Sequence, residues 1–140
     1  MKFQSTTLSN GLVVLGEVDE SAASVGVGFF VKTGARDETP EVSGVSHFLE
    51  HMMFKGTAKR SALDLTYGLG AIGAQANAYT SEETTVYYAY VLPEYFTEAF
   101  EILSDMLRPS LDIGEFTTEK KVILEEIALY QDRPTYVMFE

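Results

Sequence analysis

F-Q-S-T-T-L-S-N-G-L-V-V-L-G-E-V (Phe3 to Val18) contains two short β-rich runs, Phe3 to Leu8 and Leu12 to Val18, separated by Asn10-Gly11. Asn-Gly is the dipeptide that a two-residue hairpin turn prefers, so the chain opens on antiparallel strands. Ala23 to Thr33 reads as a third strand, in which Val25, Val27, Phe29 and Val31 alternate with Gly26, Gly28 and Phe30. Those glycines leave one face low, where a helix or a ligand could come close. Gly34 to Pro40 is polar and turn-like, and Gly44 to Phe54 turns helical. Ser61 to Ile72 is a second helical segment, interrupted by Gly68 and Gly70. Gln75 to Thr80 and Thr84 to Leu92 are two further strands, the second rich in the Thr, Val and Tyr that suit a pleated surface.

Pro93 opens a helix in which Phe96, Ala99, Phe100, Leu103 and Leu107 recur at spacings of three and four, the mark of a buried face, and Pro109 ends it. Asp112 to Glu115 has capping-box spacing with Asp as the cap. A long helix follows to about Gln131. Pro134 breaks it, and another helix starts before Glu140. Hairpin-linked strands mixed with helices predict an α+β fold: a mixed, largely antiparallel sheet with helices packed on one face.

The 140 residues fit one domain, and 46% apolar content is enough for a core. The abrupt finish at Glu140, within a few residues of a helix start, suggests that 1–140 is a piece of a longer protein, cut short at its C-terminal end. The formal net charge of −11 argues against nucleic acid, whose phosphates need clustered Lys and Arg, and against anionic membrane surfaces. From Glu94 onward there are 11 acidic against 4 basic residues. That excess serves solubility, or else attracts cationic peptides. No apolar stretch has the length of a membrane span or a signal peptide, so no membrane partner is expected. The expected compartment is the cytoplasm, or alternatively a mitochondrial or other organelle matrix. With no cysteine, disulfides and thiolate ligands are excluded, and any metal must use His, Asp or Glu.

His47-Phe48-Leu49-Glu50-His51 carries the chemistry. Residues i and i+4 of a helix stack on one face about 6 Å apart along the axis, so His47 and His51 can share one zinc ion. Glu50, three residues after His47, lies toward the same side. It can act as general base on a water whose pKa the metal lowers toward 7. Two helical histidines can also be merely structural. These, however, are the only two in the chain, and the Glu has the H-x-x-E-H spacing of a peptidase motif.

A catalytic zinc usually has three protein ligands, so the third here should be a carboxylate. In the last long helix, Val122, Ile123, Leu129 and Tyr130 form one apolar face at about 100° per residue, with Glu126 near its middle and Glu125 at its border. A carboxylate centred on a buried face needs a partner, which zinc would supply. Glu119, seven residues earlier, shares that face and could support the site. Gly73 to Thr80, small and polar, reads either as an edge that pairs with an extended peptide, Asn77 orienting it, or as an ordinary strand packed against a helix.

H-F-L-E-H-M-M-F-K-G-T (His47 to Thr57), N-A-Y-T (Asn77 to Thr80) and E-K-K-V-I-L-E-E-I (Glu119 to Ile127) resemble the N-terminal catalytic domain of the pitrilysin and mitochondrial-processing-peptidase family. Order and spacing match as well, with 74 residues between His51 and Glu126. The resemblance implies one zinc ion on His47, His51 and Glu126, Glu50 as general base, and a supporting catalytic role for Glu119. It implies that Asn77 and Ala78 lie along the strand that holds the substrate peptide. It also implies a second homologous domain or subunit, which supplies an Arg and Tyr pair and completes a chamber. The expected function is therefore a zinc endopeptidase acting on peptides or targeting presequences, with this piece not fully active alone. The alternative is a non-catalytic assembly or peptide-binding subunit.

Overall fold

The computed structural model describes residues 2–131. The expected break at Pro134 and the helix after it lie outside the described residues. Five strands and four α-helices follow in the order β1 (Lys2–Thr7), β2 (Val13–Val18), β3 (Val25–Val31), α1 (Val45–Met52), α2 (Ala62–Ala71), β4 (Gln75–Thr80), β5 (Thr85–Val91), α3 (Phe96–Met106) and α4 (Ile113–Gln131). The α+β class holds. Every ladder among the described residues is antiparallel, in two separate sheets: β1-β2, and β3-β5-β4 with β5 central.

The opening hairpin differs from expectation in its turn. Thr7 pairs with Val13. Leu8 N–H donates to the Leu12 carbonyl at 2.8 Å, so the loop is Ser9-Asn10-Gly11 rather than two residues. Gly11 takes φ +86°, the left-handed position that closes a three-residue loop. Every residue of both strands is exposed.

The three-stranded sheet has two unlike faces. Val27, Phe29, Ala74, Ala76 and Ala89 meet Leu65 and Leu69 of α2 and Ile102, Leu103 and Met106 of α3, which form the core. Gly68 lets these helices approach: a Cβ there would stand 3.1 Å from Ile102 Cδ1. On the opposite face, aromatic rings come close to the β3 glycines. A Cβ on Gly26 would meet the Tyr90 ring at 3.0 Å, and one on Gly28 would meet the Phe30 ring at 3.2 Å.

The buried stripe of α3 is Ala99, Ile102, Leu103 and Met106, while Phe96 and Phe100 stay 40% and 43% exposed. Pro93–Tyr95 forms a 3-10 turn before α3 begins, and the stripe is rotated from the expected one. Phe100 still stacks at its margin on Phe29, ring centroids 5.6 Å apart.

Candidate metal centre

Helix α1 has no side-chain cap of its own, since its N-cap, Gly44 at φ +89°, has no side chain. Glu38 supplies one from outside. Its carboxylate accepts from Gly44 N–H at 2.6 Å and Ser46 N–H at 2.7 Å. Burial works to raise the Glu38 carboxyl, but these amides, the Ser46 side chain and nearby His47 outweigh it and hold it below its ordinary value. Helix α4 is capped by Asp112, whose Oδ1 accepts from Gly114 and Glu115 N–H at 2.8 and 3.1 Å, on the Asp cap foreseen from spacing. Phe48 of α1 and Phe116 of α4 stack at 4.7 Å between centroids, and this packing brings the two helices together.

Three donors converge where the helices meet. The Nε2 atoms of His47 and His51 lie 3.1 Å apart. Glu126 Oε2 lies 3.9 Å from the first and 3.7 Å from the second. One ligand atom from each of the three falls within 4.8 Å of the others. A tetrahedral zinc with ligands about 2.0–2.1 Å away would separate adjacent donors by about 3.3 Å, so the set fits one ion with small adjustment. The donor chemistry fits as well: two imidazoles and a carboxylate form a catalytic-type zinc set.

Three side chains lie behind these donors. Glu119, only 3% exposed, accepts from His51 Nδ1 at 2.9 Å. Because a carboxylate can only accept, Nδ1 carries the hydrogen and Nε2 turns its lone pair to the other donors. Lys55 Nζ lies 2.6 Å from the second Glu119 oxygen. Burial raises the Glu119 carboxyl, but the hydrogen bonds and charges of Lys55 and His51 hold it below its ordinary range. Tyr130 donates to Glu126 Oε1 at 3.1 Å. Neither Lys55 nor this use of Tyr130 was foreseen; the i,i+4 spacing of Glu126 and Tyr130 was the available signal for the latter.

The α4 face follows the expected geometry at its centre. Glu119 and Ile123 are buried and Glu126 is half-buried, whereas Glu125 is exposed. The flanks depart from it, since Val122, Leu129 and Tyr130 are exposed.

Glu50 is half-buried, and burial pushes its carboxyl above the ordinary value, with Glu126 adding to the rise; His51, His47 and Thr80 pull the other way. The buried Thr80 hydroxyl lies beside Glu50 outside ordinary hydrogen-bond geometry. Buried Tyr87 is pushed up to about 12 by burial and by the Glu50 charge. A carboxylate raised above its ordinary value suits general-base work. Among the described residues, strand β4 is an edge strand of its sheet, and it packs against α1. The Ala78 N–H donates to the Asn77 side-chain Oδ1 at 2.9 Å.

The chain is similar to known proteins over nearly its whole length. It is 43% identical over 135 residues to a Bacillus subtilis protein named uncharacterized zinc protease YmxG, covering 96% of this chain and 33% of that one. It is 40% identical over 141 residues to the mitochondrial-processing peptidase subunit beta of Neurospora crassa, covering all of this chain and 30% of that one. A solved protease structure from Helicobacter pylori matches with a TM-score of 0.87 at 29% identity, over 92% of this chain and 32% of that one. The chain thus spans about a third of the length of these relatives. A family model described as Insulinase (Peptidase family M16) matches residues 13–140, a span that takes in both helices of the donor cluster, and the chain belongs to that family.

Proposed function

We propose that this chain is the metal-binding catalytic domain of a zinc-dependent endopeptidase that cuts peptides or targeting presequences. The convergence of His47, His51 and Glu126 donor atoms within 4.8 Å, with Glu50 on the same helix as the histidines, carries the reading. These three residues would hold one zinc ion. When bound, the ion supplies a Lewis acid and makes water nucleophilic near neutral pH. Glu50 accepts the proton of the attacking water and later returns it to the leaving amine. Glu119 holds His51 in the productive tautomer.

Substrate adds as an extended strand to the open edge of β4, where Asn77 and the Ala78 N–H supply polar contacts that demand little of its sequence. The free edge beside α1 supports this. A second homologous domain or subunit completes the enclosure. Two observations support that part: the relatives are about three times as long, and apolar side chains such as Phe3 and Ile113 stand 69% and 76% exposed.

The test uses the full-length protein. Glu50→Gln should keep zinc and lose peptide hydrolysis by at least about a hundredfold, the usual size of a general-base contribution. Undiminished turnover in that variant overturns the mechanism.

A further inference from the structure

The donor cluster gathers three carboxylates, Glu50, Glu119 and Glu126, around two imidazoles. Glu119 is the most deeply buried of them, and of its two oxygens only Oε1 has a hydrogen bond of ordinary geometry, Oε2 being buried beside the Lys55 charge. One accepts from His51 Nδ1 at 2.9 Å and the other meets Lys55 Nζ at 2.6 Å. A carboxylate in this position is costly without compensation, and it can rotate unless both ends are held. Lys55 is the cation that meets it among the described residues, and its side chain is part-buried.

The backbone that presents Lys55 is fixed independently of the cluster. Lys55 N–H donates to the Met52 carbonyl at 3.1 Å, continuing the end of α1. The next residue, Gly56, sits at φ +112°. Its carbonyl accepts from Ser110 N–H at 2.9 Å, and Thr57 bridges to Pro109. Thr57 Oγ1 also donates to Asp105 Oδ2 at 2.8 Å. The lysine therefore projects from a loop tied to the end of α3, toward a carboxylate on α4 that orients a histidine on α1.

We infer that Lys55 is a positioning residue of the metal centre, one that pins Glu119 in the orientation that presents its other oxygen to His51 and so aims His51 Nε2 at the metal position. This rests on the zinc-site reading and extends it by one shell. Charge supports it. The three carboxylates carry a formal −3, which a zinc ion and Lys55 together neutralise. Neither does so alone. Lys59, on the same loop, is not bonded to Glu119 and serves as the control.

The test measures zinc affinity by chelator competition on the full-length protein. Lys55→Met should weaken zinc binding about 10- to 100-fold, the range for losing an outer partner of a metal-binding histidine. Lys55→Arg should recover most of the loss, and Lys59→Met should bind as the wild type does. Because Lys55 acts through Glu119, adding Lys55→Met to Glu119→Gln should change affinity little further. A second readout needs no metal: ¹⁵N shifts of the metal-free protein should show His51 as the Nδ1–H tautomer in the wild type and a mixture in Lys55→Met.

Undiminished zinc affinity in Lys55→Met overturns this inference alone. So does an equal loss in the wild-type and Glu119→Gln backgrounds. A wild-type protein that takes up no zinc overturns the metal-centre reading and this inference with it. If Lys55→Met does not fold, Lys55→Gln carries the same comparison.

Discussion

Removing Glu38 should loosen the helix that bears both histidines. The carboxylate caps α1 from eight residues before Ser46, accepting Gly44 N–H at 2.6 Å and Ser46 N–H at 2.7 Å. A lost N-cap costs about 1 kcal/mol, and the charge at the positive helix end adds about 0.3–1 kcal/mol. Glu38 is only half-buried, which discounts its charge, so Glu38→Ala should cost about 2 kcal/mol locally and Glu38→Gln about half that. Two kcal/mol is about a 30-fold rise in the opening equilibrium of the first turn. Amide hydrogen exchange reads this directly at Phe48, whose N–H closes that turn on the Gly44 carbonyl at 2.9 Å. The pH dependence has a definite sign. Because the folded carboxyl is held below its ordinary value, its contribution is complete above the ordinary carboxylate range and is lost as pH falls through the lowered value. The gap between wild type and Glu38→Ala should therefore close in acid. Equal Phe48 exchange in the two proteins at pH 7 would refute the capping argument.

Gly34→Ala should destabilise by about 2 kcal/mol or more, because its Cβ would fall 2.2 Å from the Ser81 carbonyl oxygen, a backbone atom that cannot step aside. Gly68→Ala should stay within about 1 kcal/mol of wild type, since the neighbour at 3.1 Å is the mobile end of Ile102 and helix propensity rises; thermal unfolding midpoints of the two variants check both. Asp105→Asn should cost about 1 kcal/mol at pH 7 by weakening the contacts to Arg60 at 2.7 Å and Thr57 at 2.8 Å. Burial acts to raise Asp105, but those partners hold it below its ordinary value, so this loss should shrink as pH falls from the ordinary carboxylate range through the lowered value, as melts at pH 7 and pH 3 would show.

What could be read in advance was whatever depends on local period. The i,i+4 histidines, the Asp112 cap and the choice of Glu126 over Glu125 follow from about 100° per residue, and helix α4 keeps that geometry. The α3 stripe was misread because spacings of three and four admit two neighbouring solutions. Tertiary packing against α2 and the sheet chose Ile102 and Met106 over Phe96 and Phe100. Glu38 and Lys55 were not legible. Each acts across a chain reversal, on α1 amides and on a carboxylate 64 residues away, and no periodicity encodes such contacts. The β3 glycines were legible as a low surface, but not that Tyr90 and Phe30 rings would fill it.

The central claim is that two α1 imidazoles and one particular α4 carboxylate hold a single ion. Zinc stoichiometry and affinity, measured side by side for the full-length wild type, Glu126→Gln and Glu125→Gln, test it most directly. The account predicts one zinc per chain in the wild type, unchanged binding in Glu125→Gln, whose carboxylate is exposed, and a loss of at least about a hundredfold in Glu126→Gln, which removes one of three protein ligands. Binding that survives in Glu126→Gln, or that fails equally in Glu125→Gln, would contradict it.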